Sequence, residues 1–210
     1  KSESSAWYGL RNEKIESVPK LNNINSFKNG GYYIINDNKT KTFVRCGAYK
    51  DRPFQADNNH LDLWYNGINY LRDSGSYKYN TNKKLLNYFV GTKGHNTVII
   101  KGRNQMKKGN RFIWYYWIKN SKGKIFENNN SYQITSSFHG FKTIGKNIWH
   151  QRKVKKIKNK LVWFIEDDFI NADGYLKEIF FHINPKIKNR IKLEIQDLNG
   201  KYLKSKFKQG

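Results

Sequence analysis

Arg52-Pro-Phe-Gln-Ala-Asp-Asn-Asn-His-Leu-Asp-Leu-Trp-Tyr-Asn-Gly-Ile-Asn-Tyr-Leu-Arg-Asp-Ser-Gly75 is the stretch whose reading decides the fold. It opens in a polar, turn-rich segment and continues as a strand, an Asn66-Gly67 turn and a second strand. Asn-Gly between alternating runs is a strong hairpin signal, because both central residues of the tight turn need positive φ. On the first strand His60, Asp62 and Trp64 share one face, while Leu61, Leu63 and Tyr65 share the other. The second strand runs into Asp73-Ser-Gly-Ser-Tyr-Lys-Tyr79, so ionisable groups gather at both ends of one hairpin.

Outward from this hairpin the chain reads as further short strands. Tyr32–Ile35 and Thr42–Cys46 form a hairpin around Asn36-Asp-Asn38. Residues 80–94 read as an irregular crossing with a helical turn near Leu85-Leu86. Strands are expected at His95–Ile100, Arg111–Ile118, Tyr132–Phe138, Trp149–Ile157, Leu161–Ile170, Lys177–Ile183, Ile191–Gln196 and Lys201–Phe207, with turns at Lys158-Asn-Lys160 and Asn199-Gly200. The aromatic run Arg111–Ile118 is expected to be buried on both faces. No window shows a helical period and no repeat is present. The expectation is an all-β fold, an antiparallel β-sandwich of jelly-roll-like type, over residues 29–210. Residues 1–28 are expected to be a linker or the end of a preceding domain.

Composition bounds the function. The 40 Lys and Arg against 16 Asp and Glu give a formal charge of +24. Such a field suits a polyanion or a membrane surface, and it equally follows from a composition rich in Lys, Asn and Ile throughout, turns included; the cations are scattered rather than gathered on one element, which disfavours a DNA-reading helix. No apolar run reaches the ~18–20 residues that span a bilayer. Cys46 is the single cysteine, so no internal disulfide forms and no Cys-based metal site exists; its place in a strand suits a small buried hydrophobe. His60, His95, His139, His150 and His182 show no metal-binding spacing, and no phosphate loop or nucleophile elbow is present. The residues by themselves support a basic all-β domain that contacts an anionic polymer.

A resemblance carries the reading further. The run Arg52-Pro-x-Gln-Ala-Asp-x-x-His-Leu-Asp-Leu-Trp-x-x-Gly-x-Asn-x-Leu-Arg-Asp-x-Gly-x-Tyr-x-Tyr-Asn80 is similar to the signature of the heparinase II/III-like C-terminal domain. So are Gly94-His-Asn-Thr-Val98 through Asn-Gln-Met106, Arg111-Phe-x-Trp114, His139-Gly-Phe141, Trp149-His-Gln-Arg152 and Trp163-Phe-Ile-Glu-Asp-Asp168. The match runs in order over about residues 30–185.

The resemblance implies the C-terminal β-sandwich of a bacterial polysaccharide lyase, periplasmic or cell-envelope associated. An N-terminal helical (α/α) toroid of the same parent chain would form the other wall of the cleft. Such enzymes cleave uronate-containing acidic polysaccharide by β-elimination. The uronate carboxylate must be neutralised, a base takes the C5 proton, and an acid protonates the leaving O4.

Carried over by position, Asp73 and His95 match two ligands of a structural zinc, and Gln55 stands where a third, histidine, ligand is expected. Pro53 stands where a catalytic histidine is expected. A Gln amide is a weak zinc ligand beside imidazole, and proline does no acid–base chemistry. Gln55, His60 and His95 are the catalytic candidates, and Arg52, Gln55, Asp57 and Tyr77 the substrate-binding ones. Three readings stay open: a lyase branch in which Gln55 binds substrate and His60 or His95 is the base, a non-catalytic binding module for acidic polysaccharide or exopolysaccharide, and a purely structural cluster of Asp73, His95 and Gln55. Nucleic-acid binding rests on charge alone.

Overall fold

The computed structural model describes residues 22–78 and 81–197. Five strands, β1 (Ile24–Phe27), β2 (Tyr32–Asp37), β3 (Thr40–Arg45), β4 (His60–Tyr65) and β5 (Ile68–Leu71), form an antiparallel meander in that order. Both tight turns use left-handed residues, with Asn38 at φ 54° between β2 and β3 and Asn66-Gly67 at 48° and 76° between β4 and β5. The second sheet holds β9 (Ser121–Glu127), β10 (Ser131–Gly140), β11 (Ile148–Ile157) and β12 (Trp163–Ile170) in the order β12-β11-β10-β9. Two small ribbons complete the sheets: β6 (Val98–Ile100) with β13 (Lys177–Ile179), and β7 (Lys107–Lys108) with β8 (Trp114–Tyr115). The architecture is an antiparallel β-sandwich. Among the described residues no helix is long and apolar enough to cross a membrane.

Strand alternation makes the core. Tyr33, Ile35, Val44, Leu61 and Leu63 point inward from the first sheet, and Ile134, Phe138, Ile148 and Val154 from the second. The sheets approach so closely that a Cβ on Gly123 would lie 2.3 Å from the Tyr33 ring, which excludes any larger residue there. Charged residues are buried in this interior as well. The Lys156 ammonium donates to Asp37 Oδ2 at 2.7 Å and to the carbonyls of Ile157 and Lys160 at 2.7 and 2.6 Å, so each of its protons has an acceptor. Arg152 makes a bidentate pair with Asp167, Nε to Oδ1 at 2.7 Å and Nη2 to Oδ2 at 2.8 Å. His150 Nε2 donates to the same carboxylate at 2.7 Å while its ring stacks on Phe169. Burial alone would raise the Asp167 carboxyl; Arg152 and the His150 N–H overcome that and hold it far below the usual range. Burial pushes the His150 imidazole down despite that anion, so it stays neutral. Cys46 is buried, and burial pushes its thiol up to about 12, as suits a small core residue.

Several elements differ from expectation. Residues 83–90 form a helix, α1 (Lys83–Val90), capped by the Asn82 side chain accepting from Leu85 N–H at 2.9 Å; its two turns are too short to show a period. β9 was not expected. β1 lies within the stretch expected as linker and pairs with β2. Residues 191–195 form no strand, and the expected strand over 201–207 and turn at Asn199-Gly200 lie outside the described residues.

Arg111–Ile118 is not a doubly covered strand: only Trp114–Tyr115 (β8) is extended, in a two-residue ribbon with β7, and the residues on either side of it are loop. Arg111 and Tyr116 have φ of 45° and 59°, which breaks the extended conformation. Trp114 and Ile118 are buried, whereas Ile113, Tyr115 and Tyr116 are about half exposed. Aromatic strand propensity reports a fit to a half-buried surface, and here loop anchors decide instead: Trp114 Nε1 donates to Phe54 O at 3.1 Å and Trp117 Nε1 to Trp114 O at 2.7 Å.

Two predictions test this interior. Asp167→Ala leaves Arg152 buried without its counterion and should cost ~3–5 kcal/mol in urea denaturation, whereas Lys153→Ala, which breaks an exposed pair with Glu166, should cost at most ~1 kcal/mol. The second concerns pH. His150 and Asp167 both have depressed folded-state pKa values, so the unfolded chain takes up protons that the native state refuses. Stability should be full above pH ~6.5, fall as His150 is forced to protonate, and fall further below pH ~4 as Asp167 is titrated. Melting temperature against pH reads both.

Candidate functional site

The outward face of β4 carries His60 and Asp62, and a returning segment closes over it. Ser74 donates to the Gly94 carbonyl from Oγ at 2.6 Å and from its backbone N–H at 3.2 Å. That contact brings Asp73 beside His95. A Cβ on Gly94 would lie 2.7 Å from the Tyr88 carbonyl oxygen, so this approach requires glycine. Asp73 is fixed at both oxygens, Oδ1 accepting from Gly75 N–H at 2.6 Å and Oδ2 from His95 Nδ1 at 2.5 Å. Burial raises the Asp73 carboxyl, but the His95 hydrogen bond and charge hold it below the usual carboxylate range.

Asn96 is the hub. Its fully buried amide donates to the carbonyls of Leu61 at 2.8 Å and Arg72 at 3.1 Å. Its Oδ1 accepts from the His182 backbone N–H at 2.6 Å and faces His182 Nδ1 at 3.1 Å. Its backbone N–H donates to His60 Nδ1 at 2.9 Å, and its carbonyl accepts from Arg152 at 2.6 Å. These bonds place the protons. His60 Nδ1 is an acceptor, so the His60 proton sits on Nε2, 3.0 Å from Asp62 Oδ1 and 3.8 Å from Asp73 Oδ2. His182 carries its proton on Nδ1, which leaves Nε2 to accept from the Tyr88 hydroxyl at 3.1 Å. Burial, reinforced by His95, pushes the His182 imidazole down, so this acceptor is neutral.

The sequence-level candidates separate into those the structure gathers and those it does not. His60, Asp73 and His95 meet, with ligand atoms within 4.8 Å of one another. Asp57 lies behind them in an ion pair with Arg45 at 3.1 Å and a 2.8 Å contact to the Tyr49 hydroxyl. Burial raises the Asp57 carboxyl, but Arg45 and then His95 pull it below the usual range. Gln55 enters through its backbone carbonyl, 2.8 Å from the Tyr49 hydroxyl, and its side chain forms no hydrogen bond among the described residues. Arg52 is exposed; Tyr77, also exposed, stacks on Phe89 of α1. Sequence reasoning missed Tyr88, Asn96 and the site role of His182. The Asn of Gly94-His-Asn-Thr was visible as a motif, but nothing local links Tyr88 to a histidine so distant in the chain.

Exposure divides the cluster. His60 is 4% exposed with both nitrogens engaged, and His95 is 0% exposed. Tyr88, at 39%, and Asp73, with 35% of its side chain open, present polar atoms to solvent.

Zinc can be tested against this arrangement. A structural zinc takes four donors, and a ligating histidine ordinarily donates its other N–H to an acceptor. His60 does the reverse, since its other nitrogen accepts an amide N–H and its Nε2 holds a proton. If a metal replaced the His95 Nδ1 proton, that proton would move to Nε2, which is buried without a partner among the described residues. Gln55 adds no imidazole. The donors therefore do not fit a closed zinc centre as they are bonded. The purified protein should hold well below one zinc per chain, and EDTA should leave its melting temperature unchanged. A one-to-one zinc that survives gel filtration and is lost in His95→Ala would show the opposite.

A β-sandwich with a His–Asp–His cluster under the rim of one sheet is the class that fold and site define. The family model for the heparinase II/III-like C-terminal domain matches residues 19–205, and the chain belongs to that family. Among solved structures it is similar to a heparinase III gene product, at 23% identity and TM-score 0.57, covering 79% of this chain and 24% of that one. It is also similar to the heparan sulfate lyase HepC from Pedobacter heparinus, at 22% identity and TM-score 0.57, covering 79% and 25%. The chain thus spans about a quarter of the length of these structures. No curated protein matches it.

Proposed function

We propose that this chain is the C-terminal β-domain of a lyase that cleaves a uronate-containing acidic polysaccharide by β-elimination, with a helical domain of the same parent forming the opposite wall of the cleft. Family membership supports the lyase class. The observation that carries the assignment to this site is the Tyr88–His182–Asn96 chain, in which an exposed phenol donates to a neutral imidazole fixed from behind by a buried amide.

In the reaction a base from the opposite, helical wall of the cleft takes the C5 proton, that electron pair forms a new C4–C5 double bond, the C4–O4 bond breaks and O4 receives a proton. On this reading Tyr88 is the group that touches substrate. Burial and the Asp73 charge raise its hydroxyl, so it is protonated at neutral pH and suited to protonate the leaving O4. At rest that proton is donated to His182 Nε2, which fixes the hydroxyl oxygen; it turns from His182 to O4 when substrate binds, and Asn96 positions His182. His60 and His95 act from beneath: with Asp62 and Asp73 they set the electrostatics of the rim without reaching the sugar. Arg52 and Gln55 lie on the adjacent loop, where an exposed guanidinium is suited to the uronate carboxylate.

A binding module without turnover is the second reading, favoured by Pro53 and Gln55 and by the burial of His60 and His95. One experiment separates the two. The full-length protein carrying this chain is incubated with uronate polymers, and the ultraviolet absorbance of the unsaturated product is followed. Product should form, Tyr88→Phe should lower kcat by ~10²-fold or more with a smaller change in KM, and residues 1–210 alone should be silent. Absence of product on every uronate polymer, with binding retained, would establish the module reading; a Tyr88→Phe variant with unchanged kcat would remove Tyr88 from the mechanism.

A further inference from the structure

The outer face of the second sheet lies on the opposite side of the sandwich from His60. Its side chains follow from the register. Phe126, Gln133, Lys155 and Phe164 form one cross-strand row, and Lys124, Thr135 and Lys153 belong to the next, ending at Glu166 on β12. Further along, His139 opposes Trp149, and the two rings stack at 5.5 Å. Lys122 sits over the Trp149 ring at 5.9 Å and Lys124 over Phe126 at 4.7 Å.

Two features set this face apart from a merely solvated one. Phe126 and Phe164 are 45% and 60% exposed, where polar side chains would ordinarily stand. Lys122, Lys124 and Lys155 form no ion pair among the described residues, whereas Lys153 is tied to Glu166 and Asp168. Exposed rings and ammonium groups without a counter-ion on one rigid sheet supply what an acidic sugar chain needs: stacking surface for ring C–H groups and counter-charge for carboxylate or sulfate.

We propose that the outer face of β9–β12 is a second binding surface for acidic polysaccharide, centred on Trp149 and Lys122, which holds a polymer while another part of it is at the Tyr88 rim. This rests on the acidic-glycan reading of the function and adds to it a surface remote from the chemistry. Rings with free cations favour a glycan over a helical nucleic acid, which presents its rings edge-on inside grooves.

Titration calorimetry of the 210-residue protein with an oligogalacturonate and with a size-defined heparin oligosaccharide tests it. Lys122→Gln/Lys124→Gln/Lys155→Gln and, separately, Trp149→Ala should each weaken binding by about tenfold. Lys28→Gln/Lys39→Gln/Lys41→Gln, which removes the same charge from the first sheet, should weaken it by less than about threefold. The altered lysines are exposed, so the triple variants should fold, as circular dichroism would confirm. Equal weakening by both triple variants would reduce the effect to net charge and overturn the proposal. So would unchanged affinity in the outer-face variants, or tighter binding of a single-stranded DNA of matched charge. Absence of product from the full-length protein with outer-face binding intact would instead sink the elimination reading and leave this surface standing.

Discussion

The Arg152 guanidinium is the constraint on which the site depends. It rises from the middle of β11 into the interior, pairs with Asp167 through two nitrogens, and with the third donates to the carbonyls of Asn59 and Asn96 at 2.6 Å each. Those carbonyls belong to the turn that leads into His60 at the start of β4 and to the loop that carries His95. A cation in a sandwich interior is costly unless nearly all its protons are used. Here the satisfaction of one buried charge and the placement of these two segments are a single event, and the second sheet, which contributes no residue to the His60–Asp73–His95 cluster, sets its geometry.

A second polar layer fixes the same loops from the other side. Asn58 and Gln105 exchange hydrogen bonds as two strands would: Asn58 N–H to Gln105 Oε1 at 2.9 Å, Gln105 Nε2 to Asn58 O at 2.7 Å. Thr97 Oγ1 adds a bond to the same carbonyl, and Gln105 N–H reaches Thr92 Oγ1. This explains why His95–Thr97 is not in a strand, although its composition reads as one. The backbone groups a ladder would consume go to His60, Arg152 and the loop side chains instead. A local strand propensity lost to a buried polar network whose partners lie far away in sequence.

The parts of the molecule legible in the sequence were those decided locally. The Asn66-Gly67 hairpin, the β2–β3 hairpin and the long strands β10 to β12 follow from turn chemistry and alternation. The meeting of Asp73 with His95 came from resemblance and holds in the structure. What was illegible depended on long-range contacts. Tyr88 meets His182 across the fold, α1 is too short to advertise a helical period, and the aromatic run 111–118 buries only Trp114 and Ile118 because two left-handed residues turn the rest outward. Burial was equally invisible: His60 and His95 look like available bases until the structure shows one with both nitrogens engaged and the other enclosed.

Pro53 and Gln55, the two departures from the expected histidines, acquire a physical reading from this network. Pro53 is buried, and Gln55 is tied through its carbonyl to Tyr49, whose hydroxyl also meets Asp57. The loop is thus held by its backbone and by the Arg45–Asp57 pair, not by the side chains at positions 53 and 55. His60, fixed by Asn96 and Asp62, and His95, fixed by Asp73, keep their places regardless of what the loop offers. On the proposed reading, proton handling by this domain then falls to the rim, where the Tyr88 hydroxyl is 39% exposed and donates to His182.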